Sequence, residues 1–216
     1  MLSLAGKSIL ITGASGALGT AVSSAFAAAG ALLTTPSRAQ ADLTTAAGAG
    51  AAVQLALATH SRLDAAIHLM GGFASAGPVH QTTGEIWDRM FSLNASSAFF
   101  LFRAALPHLP SPGGRLLAVG SRAALDCPAG LSAYAASKAA LHALVRTTAA
   151  ECVPLGITVN AVLPSTIDTP ANRAAMPQAD PSLWVSPPSI AELLLFLASD
   201  AGRDTSGALI PIYGRS

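Results

Sequence analysis

Charge is scarce in this sequence. Asp, Glu, Lys and Arg make up only 11% of its 216 residues, and they balance to a net +1. So small a charge gives no basis for binding nucleic acid or an anionic membrane surface. Cysteine is scarcer still. Cys127 and Cys152 cannot form a disulfide framework, and no Cys/His spacing suggests a metal. No apolar run is long enough to span a bilayer. Met1 to Gly6 passes straight into a strand-like segment, without the basic region, apolar core and cleavage site of a secretory signal. These absences lead to the expectation of a cytoplasmic protein with a small-molecule partner. The hydrophobic content, 51%, is too high for disorder. The length suits a single domain over residues 1–216 with one sizeable core. A surface so poor in charge also fits one covered in part by other subunits, as in a homodimer or homotetramer.

Strand and helix signals alternate along the chain. Strand-like runs lie at Lys7 to Thr12, Ala31 to Thr35, Asp64 to Met70, Arg115 to Gly120, Ile157 to Leu163 and Ala208 to Tyr213. Lys7 to Thr12 is a short apolar run of the kind buried on both faces of a parallel sheet, and Asp64 to Met70 reads as another buried strand. Helical patterns between them predict an α/β fold, a doubly wound parallel sheet with helices on both faces. After the second strand, Ala41-Asp42-Leu43-Thr44 follows almost at once, where a crossover of a dozen residues is expected. One crossover helix is therefore shortened or missing. Thr83 to Leu106 reads as one long helix, with Asn94 among apolar neighbours. A buried Asn must be hydrogen-bonded, in a structural network or in a catalytic relay. Residues 170–188 are rich in proline and mixed in polarity, the character of a lid or substrate loop.

Three places carry chemistry. Gly13-Ala14-Ser15-Gly16-Ala17-Leu18-Gly19 lies between a strand and a helix. There, glycines let the backbone approach a pyrophosphate, and the helix N-terminus offers oriented N–H groups. The second strand ends in Pro36-Ser37-Arg38 with no carboxylate in the turn. An acidic residue there would hold the ribose of NAD, whereas an arginine accommodates the 2′-phosphate of NADP. Arg38 is otherwise a solvated loop residue. Gly71 and Gly72 follow the third strand, as a close approach to a ligand or as a plain turn. The third place runs from Ser121 to Lys138. Tyr134 and Lys138 stand four apart on one helix face. An ammonium beside a phenol favours its ionisation, which suits a general acid. Ser121, at a strand end, can place its hydroxyl at the same spot.

These motifs resemble the short-chain dehydrogenases/reductases over nearly the whole chain. Thr12 to Gly19 is similar to their Thr-Gly-x-x-x-Gly-x-Gly turn, with Ala17 for the middle glycine. Asp42-Leu43 looks like the pair that meets adenine. Met70-Gly71-Gly72 stands where Asn-Ala-Gly is usual. Pro164 to Thr169 resembles the nicotinamide segment, with Ser165 for glycine. The resemblance implies a Rossmann-type sheet of about seven strands and a catalytic set of Asn94, Ser121, Tyr134 and Lys138. It implies cofactor contacts from Gly13, Ser15, Gly16, Ala17, Leu18, Gly19, Ser37, Arg38, Asp42, Leu43, Gly71, Gly72, Tyr134, Lys138, Pro164, Ile167 and Thr169. NADP(H) is favoured by Arg38, with NAD(H) as the other option. The expected reaction moves hydride between nicotinamide and a small carbonyl or alcohol, with Tyr134 as acid or base. Asp168-Thr169-Pro170, Asn172-Arg173, Met176-Pro177 and Trp184 look like the dihydropteridine reductase branch, which makes pterin reduction the alternative. A dinucleotide-binding protein without turnover is the third reading. It has no need of all four catalytic residues.

Overall fold

Apolar runs between turn-forming residues become six parallel strands in the computed structural model, which describes residues 2–215. They are β1 (Ser8–Thr12), β2 (Leu32–Thr34), β3 (Ala65–His68), β4 (Arg115–Val119), β5 (Thr158–Pro164) and β6 (Leu209–Ile212). The sheet order is β2-β1-β3-β4-β5-β6. Every residue of β1, β3, β4 and β5 is buried, which explains why those strands are mostly apolar, with a few buried polar residues such as His68 and Asn160 among them.

The helices are α1 (Ala17–Ala28), α2 (Ala46–His60), α3 (Gly84–Phe91), α4 (Ser97–Ala105), α5 (Ala123–Asp126), α6 (Ser132–Cys152), α7 (Pro170–Ala175) and α8 (Pro187–Ala198). Two hydrophobic layers form. On one face, Val22 and Phe26 of α1 and Ile190 and Leu194 of α8 pack on Ile9, Ile67, Leu117 and Val162. On the other, α2, α4 and α6 bring Val53, Phe102 and Val145 onto Leu10, Leu116 and Val159.

The described strands number six rather than about seven. The element lost after β2 is larger than the one helix that the sequence suggests. The usual doubly wound order has a further strand outside β2. Here Asp42 and Leu43 lie in a turn, and the single helix α2 carries the chain across β1 to β3. The three-residue β2 is therefore the sheet edge. A groove of about 560 Å³ lies between α1 and β2, lined by Thr20, Ser23, Ser24, Leu33, Thr35 and Ser37.

The predicted helix from Thr83 to Leu106 is interrupted. Ser92–Ser96 form a π turn between α3 and α4, and the Ser97 N–H reaches back five residues to Ser92 O. Such turns are rare and gather at functional sites. Asn94 sits in its middle, fully buried.

Residues 170–188 hold α7 and a 3₁₀ turn at Pro181–Leu183. Arg173 grips Asp168 through two hydrogen bonds of 2.6 and 2.8 Å. Among the described residues, no helix is long and apolar enough to cross a membrane.

Candidate active site

The C-terminal ends of β1, β3, β4 and β5 meet where the glycine turn opens α1. Gly13 has φ +79, and a Cβ there would fall 2.6 Å from the Met70 amide nitrogen. A Cβ on Gly19 would fall 2.4 Å from Gly13 O. Both positions demand glycine for packing within the chain. Gly16 differs, because the nearest atom to its Cβ position is 3.8 Å away and that side is open. It is the N-cap of α1, with no side-chain cap and no acidic residue in the first turn. The helix N-terminus thus keeps donors for an anion, and the turn fits a pyrophosphate. Ser15, Gly16 and Ala17 are exposed there, and Leu18 is half-buried.

After β2, the Ser37 amide and hydroxyl both donate to Gln40 Oε1 at 2.9 Å. Arg38 is exposed on this turn. Asp42 has its carboxyl held below the usual range, mainly by hydrogen bonds from the Thr44 hydroxyl and amide and, last, by the charge of Arg38. A carboxylate therefore lies within the field of Arg38, although none stands in the turn itself. Leu43 is buried in the core beside Ala49 and Val53, so its side chain packs inward.

The four expected catalytic residues come from three places, Asn94 from the π turn, Ser121 from the end of β4, and Tyr134 and Lys138 from α6, and converge. Asn94 Oδ1 accepts the Gly72 N–H at 2.9 Å. Its Nδ2 donates to Gly72 O at 3.0 Å and to Ser137 Oγ at 3.0 Å. A Cβ on Gly71 would lie 2.9 Å from Asn94 Oδ1 and 3.4 Å from Lys138 Nζ, so both groups crowd this glycine. Lys138 is buried, and its Nζ donates to Val119 O at 2.7 Å. Burial pushes its pKa down to about 8.

Tyr134 corrects one expectation. Its phenol is harder to ionise, because burial outweighs the lowering by a hydrogen bond from Ser121. Lys138, whose ammonium donates to Val119 O, is not among the groups that lower the value. Tyr134 is thus a protonated donor, with the hydroxyl of Ser121 directed at its oxygen. Phe73 stands edge-on to the Tyr134 ring, with centroids 5.0 Å apart.

Pro164 ends β5. Ile167 pairs with Val185 in an isolated bridge, and its carbonyl accepts Asn172 Nδ2 at 2.8 Å. Thr169 caps α7, its hydroxyl accepting the Asn172 N–H at 3.2 Å. Asn172 thus ties the expected carboxamide segment to α7.

The family model described as enoyl-(acyl carrier protein) reductase matches residues 2–214. The chain belongs to the short-chain dehydrogenase/reductase family. It is an NAD(P)-dependent oxidoreductase. Among relatives in this family, 2,3-dihydro-2,3-dihydroxybenzoate dehydrogenase of Escherichia coli (strain K12) is 31% identical, with 92% of each chain covered. A short chain dehydrogenase from Burkholderia cenocepacia J2315, solved with NADP, is 29% identical with TM-score 0.86 over 98% of both chains. A 3-ketoacyl-(acyl-carrier-protein) reductase from Brucella melitensis, solved with NADH, is 25% identical with TM-score 0.87, over 99% of this chain and 100% of the other.

Two buried histidines of this short-chain dehydrogenase/reductase escaped the sequence reading. His68 ends β3, with Nδ1 3.1 Å from Thr12 Oγ1 and Nε2 3.1 Å from Ser97 Oγ. Ser97 donates its hydroxyl proton to Leu93 O at 2.8 Å. Nε2 therefore carries the ring proton, and the Thr12 hydroxyl shares its proton between Nδ1 at 3.1 Å and Ile67 O at 3.4 Å. His142 lies one turn past Lys138, and its Nε2 accepts the Ser121 N–H at 3.3 Å. Burial first, and then the charge of Lys138, hold His68 at a pKa of about 3 and His142 at about 4. A sequence signal existed for each. A histidine interrupts an apolar strand, and another extends the Tyr134–Lys138 spacing by four.

Proposed function

We propose that this chain reduces small or cyclic ketones, with Tyr134 as the proton donor and NADPH as the preferred cofactor. One observation carries the reading: the Ser121 hydroxyl is hydrogen-bonded to a Tyr134 phenol that burial keeps protonated. Two donors meeting at one point suit an oxygen that becomes negative, as a carbonyl oxygen does. The relative that dehydrogenates a dihydroxylated ring supports a ring alcohol or ketone as the substrate class.

Gly13, Ser15, Gly16, Ala17, Leu18 and Gly19 would hold the pyrophosphate. Ser37 and Arg38 would take the 2′-phosphate, and the Asp42–Leu43 turn the adenine. Gly71 and Gly72 would flank the ribose, and Pro164, Ile167 and Thr169 the carboxamide. Bound there, NADPH would supply hydride to the carbonyl carbon. Tyr134 gives its proton to the carbonyl oxygen, completing the alcohol. Ser121 turns its hydroxyl to that same oxygen. The Lys138 ammonium holds the ribose and steadies the phenolate left behind. Asn94 fixes Gly72 and Ser137, and anchors the water route by which Lys138 renews the proton. The loop at 170–188 closes over the substrate. The exposed aromatic rings of Trp87 and Phe99, on α3 and α4, support a homodimer or homotetramer.

Pterin reduction is the second reading. It is favoured by Phe73, which is 61% exposed beside Tyr134 and offers a face to a flat ring. Steady-state rates on cyclic ketones and on quinonoid dihydropterin, in wild type and Ser121→Ala, separate the two. Ketone reduction predicts a loss of about 100-fold in Ser121→Ala. Dihydropterin turnover that survives Ser121→Ala would replace the first reading with the second.

A further inference from the structure

His142 stands apart from the four residues that the chemistry uses. Tyr134, Lys138 and His142 follow one another at four-residue steps along α6 and share one face. The His142 imidazole lies against the backbone of Gly120, where a Cβ would come within 2.4 Å of Nε2. Only a glycine at 120 lets the ring reach past it to the amide of Ser121.

That amide needs an acceptor. Gly120 N–H and Arg122 N–H donate to Val162 O and Pro164 O, at 2.8 and 3.0 Å, continuing the ladder with β5. Ser121 N–H lies between them and donates to His142 Nε2 at 3.3 Å instead. The other polar groups of Ser121 are also engaged. Its carbonyl accepts Ala124 N–H at 3.2 Å, and its Oγ accepts Ala123 N–H at 3.2 Å. The hydroxyl proton is left for Tyr134.

We propose that His142 is a positioning residue, whose unprotonated Nε2 fixes the Ser121 amide and so aims the Ser121 hydroxyl at the reacting oxygen. It touches neither substrate nor cofactor and acts through Ser121. The inference rests on the carbonyl-reduction reading of Ser121. It requires the Nδ1–H tautomer, opposite to the Nε2–H tautomer of His68. Burial beside the Lys138 ammonium keeps the ring neutral, since a second cation there is disfavoured.

The test compares His142→Leu and His142→Gln, each alone and combined with Ser121→Ala. Glutamine places an acceptor near the position of Nε2; leucine places none. His142→Leu is expected to lower kcat for ketone reduction about tenfold, part of the roughly 100-fold lost with an oxyanion donor. KM and NADPH affinity should hardly move. His142→Gln should restore most of the rate. In the Ser121→Ala background, His142→Leu should cost nothing further. An equal loss in both backgrounds, or a glutamine no better than leucine, overturns the proposal. Full ketone reduction by Ser121→Ala overturns the Ser121 reading itself, which is a different result. Imidazole ¹⁵N shifts of the wild-type protein give a readout independent of activity and of mutant folding. They should show His142 with a bare Nε2, and a proton found on Nε2 sinks the idea.

Discussion

Asn94 and Gly72 hold each other from both directions. The glycine N–H donates to Asn94 Oδ1 at 2.9 Å, and Asn94 Nδ2 returns a bond to the glycine carbonyl at 3.0 Å. A π turn in the helix and a loop after β3 are thereby locked as one piece. Asn94→Leu leaves the Gly72 amide, the Gly72 carbonyl and the Ser137 hydroxyl without this partner. The expected loss is about 1–3 kcal/mol, the usual cost of buried polar groups left unpaired. Urea unfolding checks it, as a lower midpoint at an unchanged m-value.

Tyr134→Phe keeps the ring that packs on Phe73 and removes the transferable proton. Carbonyl reduction should fall by about 100-fold or more, as for loss of a general acid. Affinity for NADPH, followed by fluorescence titration, should barely change. Near-normal turnover would remove Tyr134 from its role.

The alkaline side of the rate profile should belong to Lys138. Its ammonium is lost as pH rises through about 8, while burial keeps the Tyr134 phenol protonated beyond its ordinary 10.0. Reduction is expected to decline above about pH 8 for want of the cation. The sequence has only two tyrosines, so absorbance can follow the phenol itself. The wild-type minus Tyr134→Phe titration should have its midpoint above 10.0. A midpoint below that value would show that the cation, and not burial, sets the phenol.

Acid should destabilise the fold through its histidines. His142 titrates near 4 when folded and His68 near 3, against 6.5 for the ordinary side chain. Between pH 6.5 and about 4 the unfolded chain therefore binds more protons than the folded one, and stability falls as pH drops through that window. His142 alone should account for about 1–2 kcal/mol of it, its ring keeping some contact with solvent. Urea midpoints at pH 7 and at pH 4.5 measure the fall, and His142→Gln should shrink it.

Arg38→Ala tests the cofactor preference. NADPH should bind roughly tenfold more weakly, in keeping with one lost charge-assisted contact. NADH, which lacks the 2′-phosphate, should be almost unaffected. Equal affinities of the wild type for both would end the preference.

The sheet and most of the site were legible because each signal was local. Val159 to Leu163 is apolar but for Asn160 and buried on both faces, so the strand shows in a short window. The spacing of Tyr134 and Lys138 needs only one helix to give it meaning. What escaped depended on distant partners. The phenol of Tyr134 is governed by the depth at which α6 packs, which no spacing reports. His68 gains its role from Thr12 on β1 and Ser97 on α4, both far along the chain. The strand lost with the crossover helix was also hidden, because Asp42 and Leu43 look the same in a turn as at a strand end.

The π turn fixes the length of this part of the chain. Met90, Asn94, Ala98 and Phe102 are all buried, and each is four residues after the last. On a regular helix every such step advances the side chain by about 40°, so the row would wind away from the sheet. The wider turn at Ser92–Ser96 absorbs that drift. Deleting any one residue of it would restore regular winding and turn everything downstream by about 100°. Ala98 and Phe102 would then leave the core that they fill. Natural variation in this stretch should therefore take the form of substitutions, with gaps and insertions confined to the loops on either side.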